Sequence, residues 1–448
     1  MVRVAFETLG CKVNQAESNM YEEQARQLNW QVVDYADVAD IYVVNTCTVT
    51  NEADRQSGQV ARQGRRRNPD ALMVVTGCAV GNRANTTHWV SLEGERTLFV
   101  PNAAKEELLM AVQEHLQRET LPIGWDLPDP QLAGNTRGYL KITDGCNHAC
   151  AYCIIPQMRG SVRSVTPDEV VRRVSRAVER GYRELVLTGI HLGSYGRDLR
   201  TTLDQLIPRI LAETDLYRLR LSSLDCVNIT PALLETWRQS PRLCPHFHIP
   251  LQSGTDEMLR SMRRFYNLQT YISTIERIKE ALPEASLATD LIVGFPGETE
   301  ELFEQTVQVI ETLPFQQIHV FPFSARHNTP AAALPQQVPK AVKKERLHRV
   351  LELVEYKRHS WLQSWLGREV EVIVEHESKS LPYRRGLTAH CLPVRFSAPG
   401  APSNELLRLR VTAISSDGLA LEGIPCRGRG NSVASHPSER LASPNGAL

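Results

Sequence analysis

The sequence lacks any apolar run approaching the about 18 residues a helix needs to cross a bilayer, which excludes a helical membrane span. It also lacks an excess of charge of either sign. With 51 basic and 51 acidic residues the formal net charge is +0. The chain is therefore not coated in positive charge, although a local basic face is compatible with that balance. Its first residues, Met1-Val2-Arg3-Val4-Ala5-Phe6-Glu7-Thr8, have no apolar signal core, and the expected compartment is the cytoplasm. Disulfides are not expected there, so the ten cysteines read as reduced thiols or metal ligands. Otherwise the composition is that of an ordinary globular protein. At about 150 residues per domain, 448 residues suggest about three domains.

Three of the cysteines lie together in Thr143-Asp144-Gly145-Cys146-Asn147-His148-Ala149-Cys150-Ala151-Tyr152-Cys153. A strand-like run, Gly138–Thr143, leads into this C-x3-C-x2-C loop, and an aromatic precedes its last cysteine. Three thiolates so close can grip one iron–sulfur cube and leave its fourth iron without a protein ligand. Such clusters normally take four cysteines. A three-thiolate site thus implies an open iron that binds something else, as a catalytic zinc keeps a free position. A zinc site and buried free thiols are the competing readings. The motif C-x3-C-x-Tyr-C resembles the signature of the radical S-adenosylmethionine superfamily, in which the open iron chelates the amino and carboxylate groups of S-adenosylmethionine.

The first hundred residues repeat one pattern three times: an apolar strand, a cysteine, then a polar segment. The instances are Val4–Cys11, Ile41–Cys47 and Leu72–Cys78, with helices expected from about Gln15 to Leu28 and from about Glu52 to Arg67. Strands alternating with helices imply an open parallel sheet, whose carboxyl edge is where ligands bind. Cys11, Cys47 and Cys78 all fall just past strand ends, so the fold would gather them at that edge. Singly, each reads as a small buried hydrophobe rather than a ligand; jointly, they suggest a second three-thiolate cluster. This domain is expected to cover residues 1–119, followed by a linker over 120–137 in which Pro122, Pro128 and Pro130 stand.

From residue 138 to 367 we expect a barrel domain and its helical extension. Candidate strands are 138–143, 184–188, 217–222, 246–251, 286–293 and 317–321, with helices between them such as Pro167–Arg180. Six strand–helix repeats suggest a partial parallel barrel, a (β/α)6 unit, rather than an eight-fold one. Glycine-bearing loops at the strand ends, Thr188–Gly196, Gln252-Ser253-Gly254 and Gly294–Glu298, would admit a nucleotide-like ligand. His191 is equally readable as a substrate contact or a structural hydrogen bond. Asp290 lies mid-strand, where a charge needs a partner. Arg163 is open between pairing with an anion and a solvated loop. A long charged helix is expected over 340–367, with RNA phosphates as possible partners. Strand-like pieces at Val370–Glu375, Leu406–Val411 and Leu419–Gly423 suggest a small β-barrel over 368–426. Residues 427–448 are rich in Gly, Ser and Pro and read as a disordered tail.

This order of parts resembles the radical S-adenosylmethionine methylthiotransferases, whose last piece is the TRAM module. The segments that carry the likeness are Thr8-Leu9-Gly10-Cys11-Lys12-Val13-Asn14-Gln15, Asn45-Thr46-Cys47-Thr48-Val49-Thr50 and Asp144–Arg159. The first two look most like the branch acting on N6-threonylcarbamoyladenosine in tRNA. Departures are Val165 where an arginine is usual, His327-Asn328 where glycine is usual, and a poorly matching 381–394.

The resemblance implies two 4Fe–4S clusters, one on Cys146, Cys150 and Cys153 and one on Cys11, Cys47 and Cys78. It implies that S-adenosylmethionine serves as radical source and methyl donor, with Tyr152 and Gly189 beside it. A 5′-deoxyadenosyl radical would activate adenine C2, sulfur would be inserted, and a second S-adenosylmethionine would methylate it. Implied partners are the tRNA anticodon stem-loop, with its target base unstacked, a one-electron reductant such as flavodoxin or ferredoxin, and a sulfur donor. The competing substrates are isopentenyladenosine in tRNA and a ribosomal-protein aspartate. A non-catalytic RNA-binding or electron-transfer protein is the alternative of another class. Cys226, Cys244, Cys391 and Cys426 show no ligand spacing and read as structural.

Overall fold

The computed structural model describes residues 2–81, 89, 92, 96–115, 136–376, 381–398 and 400–426. Most of the expected linker and the whole expected tail lie outside the described residues. The N-terminal unit is built from β1 (Arg3–Thr8), α1 (Lys12–Gln27), β2 (Gln31–Val33), β3 (Ile41–Thr46), α2 (Asn51–Arg67), β4 (Leu72–Gly77), α3 (Cys78–Gly81), β5 (Thr97–Val100) and α4 (Leu108–His115). Its sheet runs β2-β1-β3-β4-β5, parallel throughout. The period of two in the central strands divides their side chains between two cores. Ile41, Val43, Leu72 and Val74 pack with Tyr21, Ala25 and Leu108 on one face. Tyr42, Val44, Met73 and Val75 pack with Ala61 and Tyr35 on the other. Both faces being covered, β3 and β4 are buried along their whole length.

The central unit contains β6 (Arg137–Asp144), α5 (Ile155–Arg159), β7 (Arg163–Ser164), α6 (Pro167–Glu179), β8 (Glu184–Gly189), α7 (Leu203–Glu213), β9 (Arg218–Leu221), α8 (Pro231–Gln239), β10 (His246–His248), α9 (Asp256–Ser261), α10 (Leu268–Ala281), β11 (Ser286–Val293), α11 (Glu300–Thr312), β12 (Gln317–Pro322) and α12 (Lys340–Gln363). Strands β6-β8-β9 and β10-β11-β12 are parallel. Leu219 joins the two groups through its backbone, donating to Arg242 O at 2.7 Å and accepting from Cys244 N at 2.8 Å. The result is the expected six-stranded partial barrel, with the short β7 added antiparallel on β6.

Outward positions such as Leu140, Ile142, Leu185, Leu187, Leu219 and Leu221 pack with Val170, Leu206 and Leu233 of the surrounding helices. Helix α1 packs on β6 and β8, so the N-terminal unit sits against the barrel. Helix α12 ends at Gln363 rather than near Gly367, and part of its charge is committed to the barrel. Arg346 is buried on Glu298 at 2.8 Å, Arg349 pairs with Glu304, and Lys357 donates to Leu313 O at 2.9 Å.

The C-terminal unit is a closed barrel of five strands, β13 (Glu369–Val374), β14 (Arg384–Thr388), β15 (Pro393–Phe396), β16 (Leu406–Ile414) and β17 (Leu421–Pro425), ordered β13-β14-β15-β17-β16. Strands β14 and β15 were not expected from the sequence, because arginines and a proline mask their short alternation. Among the described residues, no helix is long and apolar enough to cross a membrane.

Candidate active site

Each cysteine of the first trio stands where a parallel strand ends: Cys11 immediately before α1, Cys47 after β3, and Cys78 as the first residue of α3. Cys47 and Cys78 are buried and Cys11 is exposed. Gly10 permits the gathering. Its φ is +99°, and a Cβ there would lie 2.7 Å from the Cys47 Cβ, so only glycine fits. Asn14, one turn into α1, ties the ends together by donating to Leu9 O at 2.7 Å and to Thr46 O at 2.9 Å.

The second trio lies on the loop that leaves β6. Gly145, at φ +76°, turns this loop so tightly that a Cβ would fall 2.1 Å from Ser161 O. Cys150 is buried, and Cys146 and Cys153 are half-buried. The His148 amide donates to Cys146 Sγ at 3.4 Å, and Arg264 donates to Cys150 Sγ at 3.3 Å and to Tyr152 Oη at 3.4 Å. Arg264 also pairs with the buried Asp225, which accepts from His191 Nε2 at 2.5 Å. His191 therefore has the structural hydrogen bond its sequence left open. Its ring contacts His148 at 4.4 Å, which stacks on Phe265 at 4.1 Å.

Arg159 connects the two trios. It is buried and donates to Cys78 Sγ at 3.2 Å, Glu17 at 2.9 Å, Asp144 at 3.0 Å and Asn14 at 2.7 Å. Lys105 and Lys141 complete the cluster around Glu17 and Asp144. Burial alone would raise the Glu17 pKa, but these three cations hold it at about 2, and they depress Asp144 further still. A second clamp is Arg326, just past β12, which pairs with Asp54 at 3.0 Å and bonds Thr48 in the loop after Cys47 and Asn51 at the start of α2. The nearby Asn328 takes φ +63°, a left-handed conformation that asparagine tolerates where glycine is usual.

A cavity of about 630 Å³ opens between the N-terminal unit and the barrel mouth. Gly10, Cys11 and Lys12 line it from the N-terminal unit, and Tyr152, Gly189, Ser222, His248, Asp290 and His319 from the barrel mouth. The barrel residues follow from strand periodicity, since Asp290 and Ile292 turn away from the Leu287, Leu291 and Val293 face that meets the helices. Asp290 finds the partners its position demanded, His248 at 2.9 Å and His319 at 3.1 Å. In the two other expected glycine loops the glycines pack away from the cavity, although Gln252 lines it. A Cβ at Gly254 would meet Thr306 Cα at 2.7 Å, so that loop packs on α11, and Gly294 lies against Lys343. Arg163 is exposed, and its one side-chain contact among the described residues is to Arg159 O at 3.4 Å.

The radical SAM superfamily model matches residues 140–310, and that of "Uncharacterized protein family UPF0004" matches 3–93. The Bacillus subtilis (strain 168) threonylcarbamoyladenosine tRNA methylthiotransferase MtaB is 37% identical over 430 residues, covering 92% of this chain and 94% of that one. The chain belongs to the radical S-adenosylmethionine tRNA methylthiotransferase family. An MtaB from Aquifex aeolicus (strain VF5) is 36% identical, covering 85% of this chain and 94% of that one. The tRNA-2-methylthio-N(6)-dimethylallyladenosine synthase of Desulfitobacterium hafniense (strain Y51) is 32% identical, covering 84% and 87%.

Two solved structures share the methylthiotransferase's fold at low identity. The cobalamin-dependent S-adenosylmethionine radical enzyme OxsB with aqua-cobalamin bound has a TM-score of 0.51 at 10% identity, covering 80% of this chain and 62% of that one. The chain thus spans less than two thirds of OxsB. The radical S-adenosylmethionine methyltransferase TsrM from Kitasatospora setae, with cobalamin and a 4Fe–4S cluster bound, has a TM-score of 0.50 at 13% identity, covering 74% and 77%.

As a member of this family the protein is an enzyme, and the non-catalytic reading falls. The family implies S-adenosylmethionine and one 4Fe–4S cluster, and the loop Cys146–Cys153 fits the latter. It offers three thiols, with the His148 amide donating to Cys146 and Arg264 to Cys150. Burial pushes the Cys153 thiol up to about 12, so a bound cation is what would favour its thiolate. Sequence reasoning missed Arg159, Arg264, Asp225 and Lys105. The first stands inside a motif that was noticed only for its cysteines. The others are charged residues whose burial no local pattern announces.

Proposed function

We propose that this methylthiotransferase adds a methylthio group to C2 of N6-threonylcarbamoyladenosine beside the tRNA anticodon. It would do so with one 4Fe–4S cluster on Cys146, Cys150 and Cys153 and a second on Cys11, Cys47 and Cys78. The observation that carries this reading is the shared cavity: one chamber is lined both by Cys11 and by Tyr152 and Gly189. A base held there would lie beside Cys11 on one side and Tyr152 and Gly189 on the other, as a reaction that activates carbon and then adds sulfur requires.

The donor set of the first trio supports the second cluster. Burial pushes the Cys47 thiol up to about 12 and also raises Cys78, against the opposing pull of Arg159, so a bound cation is what would favour the Cys47 thiolate. When bound, the two clusters and S-adenosylmethionine supply one-electron cleavage chemistry and an iron open to sulfur. The protein's residues do the rest. Arg264 and the His148 amide hold the barrel thiols, and Arg159 and Gly10 hold the N-terminal ones. Tyr152 and Gly189 shape the S-adenosylmethionine side of the chamber. Ile292, Phe321 and Phe323 line its wall and keep water from the reacting carbon. A tRNA anticodon stem-loop, a flavodoxin- or ferredoxin-like reductant, a sulfur donor and a cytoplasmic location accompany this reading.

The test is the tRNA nucleoside profile by mass spectrometry of a strain deleted for the gene. Loss of 2-methylthio-N6-threonylcarbamoyladenosine is the expected result, and its persistence would refute the assignment. Loss of the 2-methylthio group from isopentenyladenosine instead would move the enzyme to that branch, whose members also match. Unchanged tRNA with a mass loss on a ribosomal protein would indicate the aspartate substrate.

A further inference from the structure

The chamber between the N-terminal unit and the barrel mouth is unevenly charged. Among the described residues that line it, Asp290 is the one carboxylate and Lys12 the one lysine or arginine. Asp290 is already engaged by the imidazoles of His248 and His319. Lys12 is different. It is accessible from the chamber, and among the described residues it has no hydrogen-bond or ion-pair partner. The first turn of α1, where it stands, contains no acidic residue. The Lys12 side chain is open to the chamber, so an anion entering there meets an ammonium with no partner to displace. Lys12 also follows Cys11 directly, which fixes it beside the N-terminal trio.

We propose that Lys12 binds the carboxylate of the substrate's threonylcarbamoyl arm and thereby selects this base over neutral N6-alkyladenosines. The inference rests on the reading of threonylcarbamoyladenosine as the substrate. That arm ends in a free carboxylate, whereas an isopentenyl arm is uncharged and offers the ammonium no counter-charge. A site built around a charged partner rejects the analogue that lacks it far more strongly than an apolar pocket rejects a misfit. The chamber, at about 630 Å³, lies within the usual range of about 300–1,000 Å³ for small-ligand sites. S-adenosylmethionine also carries a carboxylate, and the test separates the two sources.

The holoenzyme binds three synthetic anticodon stem-loops in a fluorescence anisotropy titration: one with threonylcarbamoyladenosine, one with its methyl ester and one with isopentenyladenosine. Wild type, Lys12→Met and Lys12→Arg are compared, and the KM for S-adenosylmethionine is measured for each. The wild type is expected to prefer the acid over the ester by about ten- to hundredfold, the range of a charged hydrogen bond. Lys12→Met should remove that preference and Lys12→Arg restore most of it. The acid-to-ester ratio within one variant does not depend on the fraction of folded or cluster-loaded protein. Retention of the preference in Lys12→Met would overturn the proposal. So would a rise in the KM for S-adenosylmethionine without change in the ratio, which would give the carboxylate to the cosubstrate. A wild type that prefers the isopentenyl stem-loop would instead refute the substrate reading itself.

Discussion

Arg159 satisfies four buried groups at once, two of them carboxylates. Removing one partner of a buried charge network leaves the others uncompensated, at about 3–5 kcal/mol. We therefore expect Arg159→Met to lower the unfolding free energy by about that amount in urea denaturation, and to reduce the iron bound per chain as Cys78 loses its donor. Glu17 gives the same network a pH signature. Its pKa falls from the ordinary 4.5 to about 2 in the fold. Its contribution to stability is thus complete above about pH 5, and is lost as pH falls through about 2. The gap in melting temperature between wild type and Glu17→Gln should be constant from pH 7 to 5 and narrow progressively below that. A gap independent of pH would show that Glu17 is not held ionised. The six cysteines were visible in the sequence through spacing and repeated context. Glu17, Lys105, Asp144 and Arg159 come from separate elements, and no periodicity marks a charge as buried.

At the scale of elements, the turn from β1 into α1 carries the sharpest constraint. Gly10→Ala places a Cβ against Cys47 at a backbone angle that alanine avoids, a strain of about 1–3 kcal/mol. On the two-cluster reading, iron content should drop from about eight toward about four per chain, while reductive cleavage of S-adenosylmethionine persists. Loss of all iron would argue that the N-terminal turn does not act on its own trio. The long barrel strands were legible because period two and turn residues coincide: 286–293 is β11 residue for residue. Strands β14 and β15 were not, because in a five-stranded barrel closure supplies the pairing that a weak local pattern does not advertise.

At the scale of the whole molecule, the C-terminal barrel is tied to the base of the central one. Arg218 donates to Leu387 O at 3.1 Å and to Glu371 O at 3.0 Å. Arg220 donates to Ala389 O and Thr388 O at 3.0 and 3.1 Å, while pairing with the fully buried Glu184 at 2.8 Å. Deleting residues 368–448 would strip both arginines of these acceptors. We expect the truncated chain to unfold at lower temperature and to show faster backbone exchange in β8 and β9, independently of any tRNA. A truncation that only weakens RNA binding would mean that this barrel is an appended module.

By itself the sequence determined the local chemistry: which cysteines can act together, where strands alternate with helices, and which family the chain resembles. These are properties of spacing and periodicity, fixed within a few tens of residues. Only the tertiary structure decided that Cys11 shares one chamber with Tyr152 and Gly189, that Arg159 and Arg326 clamp the N-terminal unit to the barrel, and that Lys12 is the one lysine or arginine among the described residues lining that chamber. Each is a contact between segments far apart in the chain, set by how α1 packs on β6 and β8.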